Sequence, residues 1–245
     1  MKTLALYNLK GGVGKTAAAV NLAYLAAADG LKTLLWDLDP QGSSSFYFHV
    51  KNEKNDSEKL FTDKMDINNA IKDSAFENLW VLPADVSARN FDTIIDDIRH
   101  SKKKLKSLLN GLKGFDLVIL DCPPGISLLH DNVFNAADII LMPNIPTTLS
   151  IRSYETVAEY FKANELDKSK IKCFFSMVDH RKTLHQETIN TFYNNKFFLK
   201  NYVPYLSDVE KMGVNEQPLF EFANSSYAAQ CFRDLWKDVK KHGIV

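Results

Sequence analysis

The stretch Lys10-Gly11-Gly12-Val13-Gly14-Lys15-Thr16 decides the fold. It follows an apolar run at residues 3–8, which predicts a short buried strand, and it precedes an alanine-rich run at residues 17–28, which favours a helix. A glycine-rich loop that ends in Gly-Lys-Thr between a strand and a helix has the context of a phosphate-binding P-loop. The sequence therefore predicts a P-loop near the start of an α/β fold.

This loop predicts a site for ATP and Mg²⁺. Its glycines let backbone N–H groups turn toward phosphate, and the start of the following helix adds the positive end of its dipole. Lys15 is expected to reach the β- and γ-phosphates, and the Thr16 hydroxyl to bind magnesium. The residues expected to contact the nucleotide are Lys10, Gly11, Gly12, Val13, Gly14, Lys15, Thr16 and Ala17.

Further apolar runs predict a parallel sheet, because strands that are buried on both faces are apolar throughout. These runs lie at residues 33–36, 79–82, 117–120, 139–142 and 172–175. Amphipathic segments at residues 88–113 and 154–164 predict helices between the strands. The alternation predicts an α/β fold, a doubly wound and mostly parallel sheet with helices on both faces. Residues 50–64 are polar and predict a variable surface excursion.

Composition limits the function classes. No linker rich in proline, glycine or serine divides the 245 residues, so we expect a single domain over residues 1–245. Thirty basic and thirty acidic residues cancel, which excludes a general attraction to nucleic acid or anionic membrane. Cys122, Cys173 and Cys231 lack the short spacings of a zinc site or disulfide framework. Without a signal peptide or an apolar stretch of about 20 residues, a cytoplasmic protein is expected.

Asp121 directly follows the apolar run at residues 117–120. The carboxyl end of a strand in an open α/β sheet lies beside the ligand crevice, so Asp121 is predicted to act on magnesium directly or through a water molecule. Asp37 and Asp39 end the second apolar run in the same way.

The first position of an ordinary P-loop is glycine, whereas here it is Leu9, followed by Lys10 and a Gly-Gly pair. This pattern resembles the deviant Walker A motif of the ParA/MinD family, in which the first lysine reaches across a dimer to the partner's nucleotide. The resemblance implies that Lys10 couples ATP to dimerisation. It spans almost the whole chain, through residues 78–84, 121–125, 136–138 and 142–143, and departs at residues 50–64.

The family resemblance also implies roles outside the loop. Residues 37–42 resemble the family's switch segment, in which Asp39 would orient or activate the attacking water and contribute to the magnesium site. Asp37 would support the magnesium shell or the loop, and a purely structural role stays open. Met177 and Pro204 match positions beside the adenine, although a core methionine and a turn proline are equally good interpretations.

DNA and membrane binding separate the branches of this family. Many chromosomal ParA proteins carry two DNA-binding arginines where this chain has Tyr205 and Asp208. Two other basic clusters, residues 102–106 and 237–242, could contact phosphates, but a solvated helix face is the favoured interpretation. MinD-like proteins bind membrane through a terminal amphipathic helix. The apolar stripe at Phe232, Leu235, Trp236 and Val239 fits such a helix, but packing against the sheet is favoured.

The resemblance implies an ATPase, weak until a partner stimulates it, that partitions or positions a plasmid, chromosome region or protein cargo. The expected partners are a second copy of the chain, a ParB-like or other adaptor, and nonspecific DNA, with nucleoid association and without membrane. The alternatives are a MinD-like membrane-associated ATPase and a metabolic ATP-dependent enzyme on the same scaffold. The three cysteines do not match the cluster-bridging arrangement of the nitrogenase iron protein group.

Overall fold

A central sheet organises the fold in a computed structural model, which describes residues 1–51, 56–84, 87, 89, 91–96 and 101–244. Its strands lie in the order β3-β4-β2-β5-β1-β6-β7-β8, and every neighbouring pair is parallel except β3 with β4. The strands are β1 (Lys2–Leu6), β2 (Thr33–Asp37), β3 (Lys72–Asp73), β4 (Leu79–Leu82), β5 (Leu117–Asp121), β6 (Ile139–Asn144), β7 (Ile171–Val178) and β8 (Val203–Pro204). The predicted mostly parallel sheet is confirmed.

Helices cover both faces of this sheet. Because side chains alternate along a strand, β5 sends Val118 and Leu120 into one core and Leu117 and Ile119 into the other. The first core is covered by α3 (Asp56–Phe61), α4 (Ile67–Ala70), α5 (Phe91–Asp96), α6 (Lys104–Asn110), α7 (Leu128–Ala136), α8 (Thr148–Ala163) and α9 (Thr183–Phe192). The second is covered by α1 (Lys15–Ala28), α2 (Ser43–Tyr47), α10 (Ser207–Glu210), α11 (Met212–Asn215), α12 (Leu219–Phe222) and α13 (Tyr227–Val239).

The helical segment predicted over residues 88–113 is confirmed as helical in part, but it is not one continuous helix. The structure has α5 and α6 instead, with a 3₁₀ turn at Ser101–Lys103 directly before α6, while residues 88, 90 and 97–100 lie outside the described part. At the start of α6 the Leu105 N–H donates to the Asn132 side-chain oxygen at 3.1 Å. An external acceptor thus takes the place of an intrahelical carbonyl, and a new helix begins there.

The predicted surface excursion at residues 50–64 is wrong for α3. Leu60 and Phe61 of this helix are fully buried, and the Phe61 ring lies 4.6 Å from that of Phe91 and 6.3 Å from that of Trp36. Residues 52–55 lie outside the described part. Two adjacent apolar side chains anchor this short helix in the core. Because the residues around them are polar, they form no helical periodicity that the sequence would reveal.

The apolar stripe of α13 packs against the sheet, as the favoured prediction states. Phe232, Leu235, Trp236 and Val239 are all buried in the second core. The Trp236 indole N–H also donates to the Asp29 carboxylate at 2.8 Å, which fixes the helix beside α1. Within the described ranges, no helix combines the length and the apolar character needed to cross a bilayer.

Candidate nucleotide site

The P-loop begins where β1 ends and leads into α1, which starts at Lys15, two residues before the predicted position. Gly12 and Gly14 have φ angles of 70° and 91°, a left-handed conformation that favours glycine. A Cβ atom at Gly14 would lie only 2.8 Å from the Ser176 hydroxyl oxygen on β7. Gly14 is therefore favoured by its left-handed conformation, and any other residue there would also force the Ser176 side chain to move.

The Lys15 ammonium lies inside the loop. Its Nζ atom donates to the Lys10 carbonyl at 3.0 Å, and the residue is buried. Burial lowers the pKa of Lys15, while the negative charge of Asp121 partly opposes that shift. The loop thus holds a cation at its centre, where a phosphate group would need one.

Asp37 and Asp121 are register partners at the carboxyl ends of β2 and β5. Asp37 is buried and accepts hydrogen bonds from the Ser45 N–H at 2.9 Å, the Ser45 hydroxyl at 2.7 Å and the Asp39 N–H at 3.2 Å. Burial raises the pKa of Asp37, and these hydrogen bonds act in the opposite direction. Asp37 therefore fastens the loop that leads into α2.

Asp121 is fully buried, and neither of its carboxylate oxygens has a partner with hydrogen-bond geometry among the described residues. Burial raises the pKa of Asp121, and the charge of Asp37 raises it further, while Thr16 and Lys15 lower it in part. A buried carboxylate without a partner is costly unless a cation compensates it.

These donors fit Mg²⁺. This ion is usually held by one or two carboxylates together with nucleotide phosphates and water, rather than by a cage of protein ligands. Within the described ranges, no group of three or more His, Cys, Asp or Glu side chains could hold a metal alone. The unpartnered oxygens of Asp121 and the Thr16 hydroxyl offer the incomplete oxygen set that a phosphate-bound magnesium ion would complete.

Asp39 lies on the loop after β2 and faces the cavity beside the P-loop. Its carboxylate accepts the Gln41 N–H at 3.0 Å, and its carbonyl accepts the Gly42 N–H at 2.8 Å. The turn made by these two bonds holds the carboxylate at the cavity wall, where it could orient a water molecule.

A cavity of about 540 Å³ extends from the P-loop to the ends of β7 and β8. Its size suits a small organic ligand or cofactor. The predicted residues that line it are Gly11, Gly12, Gly14, Lys15, Thr16, Ala17, Asp39, Met177 and Pro204. Four predicted residues, Lys10, Val13, Asp37 and Asp121, are absent from the lining. The structure thus brings Met177 and Pro204, distant in sequence from the loop, to the same cavity.

Sequence analysis missed several residues of the site. Additional lining residues include Gln41, Pro124, Ser176, Tyr205, Leu206, Val209 and Glu210. Asn8 was also missed: it is fully buried, donates to the Pro143 carbonyl at 2.7 Å and accepts the Lys10 N–H at 3.0 Å. The available signal was a polar residue placed directly after an apolar strand, where it can fix the entry into the P-loop.

Comparison with known proteins assigns the family. A family model described as an AAA domain matches residues 1–173. The chain is 32% identical over 239 residues to the chromosome-partitioning ATPase Soj of Treponema pallidum (strain Nichols), covering 94% of this chain and 91% of that protein. The chain belongs to the ParA/MinD family of P-loop ATPases. This confirms the resemblance inferred from Lys10 and the Gly-Gly pair.

Further similarities place the chain near the ParA/Soj members of the ParA/MinD family. It is 28% identical over 257 residues to the sporulation initiation inhibitor protein Soj of Bacillus subtilis (strain 168), covering 99% of both chains. The structure superimposes with a TM-score of 0.88 on an AMPPNP-bound Borrelia burgdorferi B31 protein assigned to plasmid partition, at 21% identity and 98% coverage of each chain. That likeness supports the ParA/MinD fold, and ATP hydrolysis is the general reaction of this family.

Tyr205 and Asp208, which stand where the sequence comparison expects the DNA-binding arginines of many ParA proteins, both bond to neighbouring side chains. The Tyr205 hydroxyl donates to Glu210, and the Asp208 carboxylate accepts Lys211 at 3.1 Å. The two predicted basic clusters are largely ion-paired. The pairs are Lys102 with Asp131, Lys104 with Asp63, Lys237 with Asp234, Lys240 with Asp29, and Lys241 with Asp238. Neither cluster therefore offers a full set of free cations.

Proposed function

We propose that this ParA/MinD family ATPase is an ATP-controlled dimerisation switch that partitions or positions a plasmid, a chromosome region or a protein cargo. The observation that carries the proposal is the cavity beside the deviant P-loop, which the buried Lys15 lines, together with the buried Asp121 at the end of β5, whose oxygens have no hydrogen-bond partner among the described residues. The Treponema relative is a chromosome-partitioning ATPase, which supports the same biological class for this chain.

Each site residue has one role in this proposal. Lys15 binds the β- and γ-phosphates, and the loop N–H groups bind the phosphate oxygens. Thr16 and Asp121 hold Mg²⁺, which when bound neutralises charge on the phosphates. Asp39 orients the attacking water, while Asp37 supports the metal site through the loop that it fastens. Met177 and Pro204 contact the adenine at the far end of the cavity.

Dimerisation is supported by the surface around the cavity. Ile126, Leu149 and Leu184 are 42%, 64% and 49% exposed. They follow β5, β6 and β7, so they surround the same carboxyl edge of the sheet that opens into the cavity. Large apolar side chains gathered on one edge favour association. Lys10 lies at this edge without an ion-pair partner among the described carboxylates, so it is available to a nucleotide bound by a second copy.

The proposed partners follow from this switch. A ParB-like or other adaptor stimulates a weak basal hydrolysis, and nonspecific DNA serves as the matrix of a cytoplasmic, nucleoid-associated protein. The MinD-like alternative has less support, because the apolar stripe of α13 is buried in the second core. Within the metabolic alternative, a cluster-bridging iron protein has less support, because Cys122, Cys173 and Cys231 are free and buried.

The test measures ATP-dependent dimerisation by analytical ultracentrifugation and nucleotide binding by calorimetry. Asp39→Ala is expected to accumulate an ATP-bound dimer, because hydrolysis no longer releases it. Adding Lys10→Ala to this variant should preserve ATP binding and abolish the dimer. Lys32→Ala, an exposed lysine outside the cavity, is the matched control. A Lys10→Ala variant that dimerises normally with ATP contradicts the switch.

A parallel co-sedimentation experiment determines whether the protein binds DNA or a membrane surface. The Asp39→Ala variant is mixed with duplex DNA of random sequence or with anionic liposomes, with and without ATP, at low and high salt. Salt-sensitive DNA binding that requires ATP is the expected result. Binding to liposomes instead would favour the MinD-like function, and binding to neither would leave a switch whose partner is a protein.

A further inference from the structure

Three lysine side chains converge on one aromatic ring at a surface that the proposed mechanism does not use. The ammonium groups of Lys168, Lys172 and Lys196 lie 5.2, 5.9 and 5.3 Å from the centre of the Phe197 ring. A fourth, Lys200, lies 3.7 Å from the centre of the Tyr193 ring. We call these four residues the Phe197 lysine cluster.

The Phe197 lysine cluster is not neutralised within the described ranges. None of its four lysines forms an ion pair there, in contrast to Lys237, Lys240 and Lys241. The positive charge of Lys172 also extends toward the end of the chain, where burial and then the charge of Lys172 lower the pKa of His242. The cluster therefore forms a local positive field on a chain whose net charge is zero.

Two acidic side chains beside the cluster, one adjacent to Lys168 in sequence and one bonded to the residue after Lys200, are engaged elsewhere. Asp167 accepts the Ser169 N–H at 2.8 Å and so caps the 3₁₀ turn at Lys168–Lys170. Asp238 accepts two hydrogen bonds from Asn201, at 3.0 and 2.8 Å, and pairs with Lys241 at 3.6 Å. Cation–π contact with an aromatic ring offsets only part of the repulsion among gathered ammonium groups. An external polyanion would compensate the repulsion that remains among the ammonium groups.

The cluster lies toward the opposite end of β7 from the P-loop. Lys172 is the second residue of β7, whereas Met177 at the cavity is near the end of the same strand. Phe174, two residues after Lys172, also lines the cavity, and so does Val203, three residues after Lys200. The cluster lysines themselves are not among the lining residues, and AMPPNP binding therefore serves as the check that substitutions in the cluster leave the nucleotide site intact.

We propose that the Phe197 lysine cluster binds the sugar-phosphate backbone of duplex DNA without reading its sequence; this rests on the proposed function, because it locates the matrix contact of that switch. Free ammonium groups gathered around one ring suit closely spaced phosphates. A membrane surface suits the cluster less well, because its apolar surface is small: Phe197 is half-buried, and Tyr193, although 57% exposed, is a single ring with Lys200 over its face. Interfacial binding instead needs an exposed apolar face.

The position of the cluster also explains how ATP would control DNA binding. Two chains that meet through their carboxyl edges present one cluster each at the outer edges of the dimer. DNA that contacts both clusters gains affinity from the second contact at high effective concentration. A monomer carries one cluster and would bind DNA weakly. Nucleotide-dependent dimerisation would therefore raise the affinity for DNA.

The experiment compares two triple variants of the full chain. Lys168→Gln/Lys172→Gln/Lys196→Gln removes three charges from the cluster, and Lys32→Gln/Lys64→Gln/Lys113→Gln removes three exposed charges elsewhere. Fluorescence anisotropy with a labelled duplex of random sequence is followed against salt in the presence of AMPPNP. Analytical ultracentrifugation of the same samples records the dimer, and calorimetry records AMPPNP binding.

The cluster variant is expected to bind DNA at least tenfold more weakly at low salt. Its log–log salt slope should be shallower by about 5, since a dimer that contacts DNA through both clusters loses six phosphate contacts of about 0.9 each. The control variant should match the wild type, and a Lys→Arg triple at the cluster should restore binding. If the cluster variant and the wild type bind DNA with equal affinity and equal salt slope, the cluster is not the DNA-binding surface, while the proposed dimerisation switch is unaffected. Absence of DNA binding by the wild type also overturns it, and the ultracentrifugation then reports on the switch separately.

Discussion

The ends of β2 and β5 carry two carboxylates that look equivalent in sequence and differ completely in the structure. Asp37 and Asp121 each end an apolar strand, and the two are register partners. Asp37 accepts three hydrogen bonds, whereas both oxygens of Asp121 are buried without a described partner. The first carboxylate is already compensated by the protein, and the second is compensated only when a cation arrives. Hydrogen-bond satisfaction thus separates a structural carboxylate from a ligand-binding one.

The largest expected effect is on nucleotide binding. Asp121→Asn should lower the affinity for ATP in the presence of Mg²⁺ by on the order of 100-fold, because a charge-assisted contact of about 3 kcal/mol is lost. Without Mg²⁺ the variant and the wild type should bind ATP alike. Isothermal titration calorimetry with magnesium or with EDTA measures both. A similar loss in EDTA would mean that Asp121 acts on the fold rather than through the metal.

The second effect is on stability and should have opposite signs for the two residues. Asp37→Ala is expected to lower the free energy of unfolding of the nucleotide-free protein by about 3 kcal/mol, because it leaves the buried Ser45 donors without their acceptor. Asp121→Asn should raise it by about 1 kcal/mol, since the wild type on folding must either take up a proton at Asp121 or bury an unpaired charge, and Asn requires neither. Urea denaturation monitored by circular dichroism measures the two changes. Equal destabilisation by both substitutions would mean that Asp121 is a structural carboxylate like Asp37.

The third effect is on pH dependence. Burial and the charge of Asp37 raise the pKa of Asp121, so above about pH 4 the folded state retains a proton that the unfolded chain has lost. The stability contributed by this group therefore falls as pH rises from that value toward its raised pKa, by up to about 1.4 kcal/mol per pH unit. The difference in unfolding free energy between the wild type and Asp121→Asn isolates it from other titrating groups. Saturating Mg-ATP should flatten this difference, and a difference that rises with pH would contradict the assignment.

The smallest effect concerns the donor to Asp37. Ser45→Ala removes the hydroxyl that donates at 2.7 Å and retains the backbone N–H that donates to the same oxygen at 2.9 Å. We expect a loss of about 1 kcal/mol in unfolding free energy and no change in ATP affinity. Ser43→Ala on the same short helix is the control. If Ser45→Ala weakened ATP binding strongly, Asp37 would belong to the metal site rather than to the loop.

Local chemistry explains which features could be predicted from the sequence. The P-loop depends on contiguous residues, and the buried parallel strands are continuous apolar runs, so both were found at nearly their observed positions. The assignment of Asp121 as a strand-end carboxylate rests on the same local pattern. These signals do not require knowledge of any distant contact.

Features that depend on distant partners could not be predicted. Nothing near Asp37 in the sequence shows that Ser45 turns back to it, and nothing near Asn8 shows that it reaches Pro143. The helix break before Leu105 likewise depends on Asn132 from α7. Leu60 and Phe61 are too few to form a helical pattern, although they enter the core. Tertiary hydrogen bonds and isolated anchoring side chains produce no periodic pattern in the sequence.

The contact between Lys15 and the Lys10 carbonyl has a consequence for signalling within one subunit. The ammonium group has three N–H donors, so one of them can keep this bond while the others bind the phosphates of ATP. Bound phosphate would then be connected through Lys15 to the backbone of Lys10, which is also held by its N–H bond to Asn8. Occupation of the cavity would therefore order the backbone of Lys10 before a neighbouring subunit arrives.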